Sequence, residues 1–127
     1  MEYVIQLIED PQMISVTITG KWDPAADRAM ALEVMAKAAE SMVGRVLVDV
    51  RQLQFDLPMI NLFQRAKELG EQRREFNLVN GKVALVYQPT DKKRDDSLIF
   101  FENASRNRGL PYRVFKELDA ALEWLMK

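Results

Sequence analysis

Charged and aromatic side chains gather in three short segments of the chain, residues 20–23, 51–57 and 88–96, each of which follows a stretch that predicts a strand. If those strands are parallel, the segments meet at one edge of the sheet, where open α/β sheets usually bind ligands. Helix N-termini that face such an edge add partial positive charge, so an anion is a suitable ligand. The candidate ligand- or partner-binding residues are Trp22, Asp23, Arg51, Phe55, Asp56, Lys92, Lys93 and Arg94.

Several kinds of chemistry are excluded by residue types that the chain does not contain. It has no histidine and no cysteine, so neither a Ser-His-Asp arrangement nor a Cys-His nucleophile pair can form. The best ligands for zinc, copper and iron are missing for the same reason. The five glycines are isolated from one another and form no phosphate-binding loop. We therefore expect no catalytic residue, no metal site and no cofactor.

Each candidate residue also has a purely structural interpretation. Asp23 stands before a proline and suits the N-cap of a helix. The basic run 92–94 is followed at once by the acidic pair 95–96, which neutralises it locally. Trp22 suits either an exposed binding aromatic or a cover over the sheet edge. Asp56 is either a carboxylate whose pKa is altered by apolar neighbours or an ordinary exposed one.

Length, composition and charge are those of an ordinary globular protein. The 127 residues fit a single domain, residues 1–127, with 48% hydrophobic and 29% charged side chains. The formal net charge is −1 and no basic stripe is present, so we expect no nucleic-acid partner. The sequence shows neither a signal-peptide pattern nor an apolar run of about 20 residues, so no integral membrane segment is expected and a cytoplasmic location is predicted.

The N-terminal third predicts a hairpin followed by a helix. Residues 3–8 and 13–19 are β-rich, and in the second segment apolar and hydroxyl side chains alternate. An Asp-Pro pair predicts the start of a helix over residues 24–42. Gly44 is expected to supply the left-handed residue that ends this helix.

Strand and helix patterns then alternate to the end of the chain. Strands are predicted at residues 46–50, 82–87 and 112–115. Helices are predicted from Pro58 onward, at 98–108 and at 118–126, while 88–96 is expected to be a loop. The order ββαβαβαβα predicts an α/β fold: a mixed, mostly parallel sheet of about five strands, flanked on both faces by about four helices. Only the first strand is expected to run antiparallel.

The last third of the chain resembles a known family. A helix that closes at Arg108-Gly109, a strand that ends in Val114-Phe115 and a last helix that carries Ala121 and Trp124-Leu125 are similar to the ending of STAS domains. These domains have the fold of bacterial anti-sigma-factor antagonists, and the resemblance is to their SpoIIAA-like branch. It implies a SpoIIAA-like fold and signalling through a protein partner.

One family feature is missing from this sequence. In the antagonists, the loop after the third strand carries an Asp-Ser-Ser or Asp-Ser-Thr motif whose hydroxyl is phosphorylated by a partner kinase. Here Asp56 stands at about that place, but no serine or threonine occurs between Ser41 and Thr90. Because phosphorylation adds nearly two negative charges, the hydroxyl is what makes such a switch work. The resemblance therefore implies the scaffold without its usual phosphoswitch.

Three functions are compatible with these features. The first is a non-catalytic binding or regulatory module that acts through a protein partner. The second is a small carrier of an apolar or lipid-like ligand, as in the CRAL-TRIO lipid-transfer proteins of related fold, with the first helix and Leu62-Phe63 lining a cavity. The third is an enzyme that depends on Asp56 near Arg51 or Lys92. A homodimer through the hairpin edge and the first helix is also expected.

Overall fold

The computed structural model describes residues 1–55, 59–76, 81–89, 92–108 and 111–127, without the side chains of residues 59, 60, 62 and 63. Within these ranges, five strands and four helices follow one another in the predicted order ββαβαβαβα. The strands are β1 (Glu2–Glu9), β2 (Gln12–Lys21), β3 (Arg45–Gln54), β4 (Lys82–Val86) and β5 (Tyr112–Phe115). The helices are α1 (Pro24–Ser41), α2 (Met59–Glu75), α3 (Lys92–Asn107) and α4 (Leu118–Leu125).

The five strands form one mixed sheet in the order β1-β2-β3-β4-β5. β1 pairs with β2 in antiparallel fashion and every later pair is parallel, which confirms the predicted sheet. In β2, Ile14, Val16 and Ile18 are all buried on one face, as their alternation with hydroxyl residues predicts. The alternation of apolar and hydroxyl residues thus predicts which face of this strand points into the core.

The helices cover the two faces of the sheet unequally. Connections between neighbouring parallel strands are right-handed. If successive strands are added on the same side of the sheet, right-handed connections therefore place all of their helices on one face. From β2 to β5 the order advances without reversal, so α1, α2 and α3 share one face, where Met30 and Leu98 are buried. On the opposite face α4 packs Ala121 and Leu125 against β3 and β4. Helices therefore lie on both faces, as predicted, with three of the described helices on one face and one on the other.

The end of α1 differs from the prediction. The left-handed residue is Met42, with φ 58°, and its backbone N–H donates to the carbonyl oxygen of Ala38. Gly44 instead lets another segment approach closely: its carbonyl oxygen accepts the N–H of Lys82, and a Cβ on Gly81 would collide with that same oxygen. The glycine that this close approach requires is thus Gly81, and α1 ends at Ser41, three residues before Gly44.

Two predicted loops turn out to be partly regular structure. Arg51 lies within β3, because after a register shift Gly20 and Lys21 of β2 continue to pair with this strand. Lys92, Lys93 and Arg94 form the beginning of α3 rather than a loop. The polar run misled the prediction, since acidic residues such as Asp95 are favourable in a first helical turn and leave the apolar face of the helix to begin at Leu98.

Candidate functional site

Two of the predicted site residues come together at the carboxyl edge of the sheet. The guanidinium carbon of Arg94, in the first turn of α3, lies 4.7 Å from the ring centroid of Phe55, which directly follows β3. At this distance the cation is attracted to the face of the aromatic ring. Both side chains are half-buried, so each keeps a surface that faces solvent. Phe55 and the first turn of α3 thus form one patch, which, with the neighbouring Trp22 and Asp23, we call the rim.

Trp22 and Asp23 hold the neighbouring part of the rim in place. The backbone N–H of Trp22 donates to the carbonyl oxygen of Gln54 at 2.8 Å, and its half-buried side chain packs against the main core cluster. Asp23 accepts a hydrogen bond from the backbone N–H of Ala26 at 3.0 Å and is the N-cap of α1. Its structural interpretation is therefore confirmed, and Trp22 is a partial cover rather than a fully exposed aromatic.

Of the remaining candidate residues near the rim, two basic ones are described by the structure and one acidic one is not. Lys92 and Lys93 are exposed on the first turn of α3, beside Arg94. Asp56 lies outside the described residues. The structure thus gives the rim three consecutive basic residues and two aromatic ones, and the interpretation of the loop carboxylate stays a prediction.

Arg51 does not join the rim. Its guanidinium donates to both carboxylate oxygens of Asp49, from Nε at 3.0 Å and from Nη2 at 2.7 Å. Both residues lie on β3, where Asp49 is aligned with Thr17 of β2 and Val86 of β4, so the pair belongs to the sheet face opposite α1, α2 and α3. These hydrogen bonds hold the pKa of Asp49 below its ordinary range. Arg51 is therefore engaged within its own strand.

A cavity of about 380 Å³ lies between the sheet and the helices of the three-helix face. Its sheet wall is formed by apolar side chains of β2, β3 and β4, apart from the hydroxyl of Tyr112 on β5. On α1, small side chains such as Ala31 and Ala38 leave the space open. Trp22 and Phe55 also line it, so the cavity extends to the inner side of the rim. This volume is within the range of pockets that hold small molecules.

Charged residues bridge α1 and α2 along this cavity. The Nε atom of Arg65 on α2 lies 2.8 Å from a carboxylate oxygen of Asp27 on α1, and Arg28 on α1 lies 3.2 Å from Glu68 on α2. The Nη1 atom of Arg65 is buried and has no hydrogen-bond partner among the described residues. Burial raises the pKa of the Tyr112 hydroxyl, which also senses the charges of Arg65 and Asp27. We call these two ion pairs the clasp.

A second polar group lies below the rim, at the end of β4. Tyr87 is buried, and burial together with the nearby Asp95 carboxylate raises its pKa to about 12. Asp95 in turn lies 3.3 Å from the ammonium of Lys116. The three side chains link β4, α3 and the end of β5, so this group fixes the base of the rim.

The sequence interpretation missed the clasp and the Tyr87 group. Asp27 lies in the predicted helix over residues 24–42 and Arg65 in the predicted helix that begins at Pro58, but neither spacing nor motif links two residues 38 positions apart. Tyr87 lies at the end of the predicted strand over residues 82–87, and nothing in that pattern indicates its contact with Asp95. Pairing across distant segments depends on the packing of α1 against α2, which single-segment periodicity does not report.

Within the described part of the chain, no group of three or more acidic side chains is placed to hold a metal ion. Among the helices described, none combines the length and apolar character that a membrane span requires. The side chains of Leu62 and Phe63, predicted to line a cavity, lie outside the described residues.

No protein-family model matches the chain, and no curated protein matches it in sequence. Solved structures do match it. An anti-sigma factor antagonist from Mycobacterium paratuberculosis has a TM-score of 0.62 at 14% identity, covering 99% of this chain and 96% of its own. The phosphorylated form of the Bacillus cell fate determinant SpoIIAA has a TM-score of 0.56 at 14% identity, covering 97% and 99%. Unphosphorylated SpoIIAA, an anti-sigma factor antagonist, gives 0.51 at 15% identity, covering 94% and 92%.

These similarities extend over nearly the full length of both chains. They confirm the SpoIIAA-like α/β fold that the element order and the C-terminal residues predict. At 14–15% identity they establish the fold and leave the function to the site itself.

Proposed function

We propose that this chain is a non-catalytic regulatory module that binds a protein partner through its rim. The observation that carries the proposal is the contact between Arg94 and Phe55, 4.7 Å apart at the carboxyl edge of the sheet. Arginine and aromatic side chains are enriched at protein interfaces and supply much of their binding energy. Exposed Lys92 and Lys93 extend the patch with positive charge, which suits a partner with an acidic surface.

The proposed binding works without the usual phosphoswitch. One of the similar structures is a phosphorylated SpoIIAA, but this sequence has no serine or threonine between Ser41 and Thr90. Regulation would then depend on partner or ligand concentration rather than on phosphate at that loop. Intact-mass measurement of the protein purified from its native host, with no phosphorylated species, supports this, and a phosphate mapped to the segment around Asp56 contradicts it.

Affinity capture with matched charge variants tests the rim. Arg94→Glu inverts the charge of the patch, whereas Lys37→Glu makes the same change on an exposed position of α1. A specific partner, once recovered and purified, should bind wild type and Lys37→Glu equally and Arg94→Glu at least about tenfold more weakly. Equal affinity of all three proteins contradicts the rim as the docking surface.

A second candidate function is a small carrier of an apolar or lipid-like ligand. The cavity of about 380 Å³ favours it, because a folded domain normally closes such space around side chains. Native mass spectrometry of protein purified under gentle conditions should then show an additional bound mass. A bare protein mass, together with no thermal shift across a panel of lipids and fatty acids, contradicts this function.

Self-association stays a prediction as well. β1 is an edge strand of the described sheet and exposes Val4 and Leu7. Antiparallel pairing of two β1 strands about their centre would place Glu2 opposite Glu9, and this like-charge contact disfavours the edge. The exposed Leu32 on α1 leaves that helix as the better candidate surface. Light scattering that gives a monomer mass at micromolar concentration contradicts the homodimer.

A further inference from the structure

We propose that the cavity binds a single-chain amphiphile with a carboxylate head, with the head at Arg65 of the clasp and the tail along the sheet. This inference rests on the second candidate function, the carrier, and names the class of ligand that it would take. It is supported by three features: the shape of the apolar wall, the nitrogen of Arg65 that has no hydrogen-bond partner among the described residues, and the guanidinium groups that line the cavity.

The apolar wall fits one extended tail. The strand residues that line it are short side chains for the most part: Val16, Val46, Val48, Val50 and Val83. Opposite them, α1 presents cavity-lining residues from Asp27 to Ala38, a rise of about 16 Å along the helix. At roughly 30 Å³ per water-sized group, about 380 Å³ holds on the order of a dozen non-hydrogen atoms. That matches one chain of medium length.

The head group is assigned by Arg65. Its side chain is only 14% exposed, and its Nε atom is engaged with Asp27 at 2.8 Å. The Nη1 atom has no hydrogen-bond partner among the described residues, and its nearest recorded carboxylate oxygen, on Glu68, is 3.7 Å away. A buried N–H group of a cation without an acceptor is costly, and a carboxylate oxygen relieves that cost while forming a charge-assisted bond.

The charges around the cavity also favour an anion. Three guanidinium groups line it, on Arg28, Arg65 and Arg73, against the carboxylates of Asp27 and Glu68. Guanidinium groups thus outnumber carboxylates in the lining. Arg73 senses the Tyr112 hydroxyl, which lies on the sheet wall of the same cavity. A carboxylate head suits such a lining, because guanidinium groups bind carboxylates through charge-assisted hydrogen bonds.

Calorimetric titration with three ten-carbon probes tests the head group directly. Sodium decanoate, 1-decanol and decyltrimethylammonium share a tail and differ in charge, and each is used below its aggregation concentration. Decanoate should bind with one-to-one stoichiometry, and the other two at least about tenfold more weakly. If decanol binds as tightly as decanoate, the carrier function survives and the carboxylate site is wrong. If none of the three binds, both are wrong.

Two variants of the clasp should change the affinity for decanoate in opposite directions. Arg65→Gln removes the proposed partner of the head and should weaken decanoate binding at least about tenfold. Asp27→Asn removes the carboxylate that competes for Arg65 and should tighten it. Arg74→Gln, an exposed position on the same helix, is the matched control and should change nothing. A merely loosened interface would shift Arg65→Gln and Asp27→Asn in the same direction, and that result overturns the assignment.

A cavity-filling variant tests the tail. Ala38→Leu adds a branched side chain to a cavity-lining position, and Ala39→Leu adds it to the exposed neighbour. Ala38→Leu should lose decanoate and decanol binding together, while Ala39→Leu keeps both. Thermal unfolding of each variant confirms that it is folded at the titration temperature. Unchanged binding by a folded Ala38→Leu protein places the ligand elsewhere and overturns the proposal.

Discussion

The two faces of the sheet are filled in different ways. Under α4, Ala84 and Val86 of the sheet and Ala121 and Leu125 of the helix are all completely buried. Under α1, α2 and α3, the sheet presents mostly valines, and about 380 Å³ stays open although three helices cover this side. One helix thus packs tightly where three do not.

The difference follows from topology and from side-chain size. Three consecutive crossovers must share one face, and a helix needs about 10 Å of width whereas a strand needs about 4.8 Å. α2 therefore meets α1 through the clasp and packs with α3 through Leu69 and Phe101 in a second cluster. Small residues on α1 then leave space beneath. The α4 face is thus closely packed, and the α1–α3 face contains the cavity in which we propose that a ligand binds.

Truncation of one leucine on each face gives the largest expected contrast. Leu125→Ala removes a fully buried side chain from the closely packed α4 face and should lower the free energy of unfolding by about 3–5 kcal/mol. Leu53→Ala acts beside space that already exists, so fewer contacts are lost, and we expect about 2–3 kcal/mol. Urea unfolding of both variants measures the two values. Equal costs, or a larger cost at Leu53, would break the comparison.

Enlarging an alanine on each face gives the next contrast. Ala121→Leu has no room under α4 and should destabilise the protein by about 1–3 kcal/mol. Ala38→Leu enters the cavity and should stay within about 0.5 kcal/mol of wild type or gain stability. Ala120→Leu, exposed on α4, is the control for the change in helix composition. Destabilisation by Ala38→Leu as large as that by Ala121→Leu would mean that the cavity is not fillable.

The free energy of unfolding at alkaline pH tests the burial of Tyr87, which lies on the three-helix face near the rim. Because the pKa of Tyr87 rises to about 12 on folding, the unfolded chain loses this proton first as the pH increases. The stabilisation is complete below about pH 10 and is lost as the pH rises through about 12. The expected loss is on the order of 1 kcal/mol by about pH 11.

Tyr87→Phe isolates this effect from the other tyrosines. The pKa values of Tyr3 and Tyr112 are also raised, so wild type should lose stability over the same range for more than one reason. The variant should show a shallower fall in unfolding free energy between about pH 10 and 12 than wild type. Identical slopes would show that Tyr87 is not the group responsible.

A single glycine on α2 gives the smallest expected effect. Gly70 is buried within this helix, yet a Cβ added there meets nothing within 4 Å outside the local helix backbone. Gly70→Ala should therefore raise the free energy of unfolding by about 0.5–1 kcal/mol through helix propensity alone. A destabilised variant would show that α2 has no space for an added methyl group, which would contradict the looser packing described for the three-helix face.

The order of elements could be predicted from sequence because each element carries its own signal. The alternation in β2, the Asp23 cap and the strand over residues 82–87 all depend on neighbours in the chain, and the structure confirms all three. The predictions were wrong where the local structure depends on contacts with segments that are distant in the chain. Gly44 was predicted to end α1, but Met42 is the left-handed residue and the Gly44 carbonyl oxygen accepts the N–H of the distant Lys82. Arg51 was predicted to lie in a loop because the pairing of its strand with β2 is not local.

The candidate site was predicted less well for the same reason. Parallel strands place Phe55 and Arg94 near one edge, and the structure brings them to 4.7 Å. The clasp between Asp27 and Arg65 requires α1 and α2 to face each other, which no spacing within either helix reveals. Cavity volume is likewise a property of three packed helices and a sheet, so the sequence alone could not predict it.

Methyl NMR during a titration with decanoate tests the contrast between the two faces most directly. The methyl groups of Ile18, Val48 and Leu53 line the cavity, whereas those of Leu47, Val86 and Leu125 lie on the α4 face. The account predicts saturable shifts in the first group and none in the second. Shifts of similar size in both groups, or no shift in either at saturating probe, would contradict the claim that the three-helix face holds the ligand.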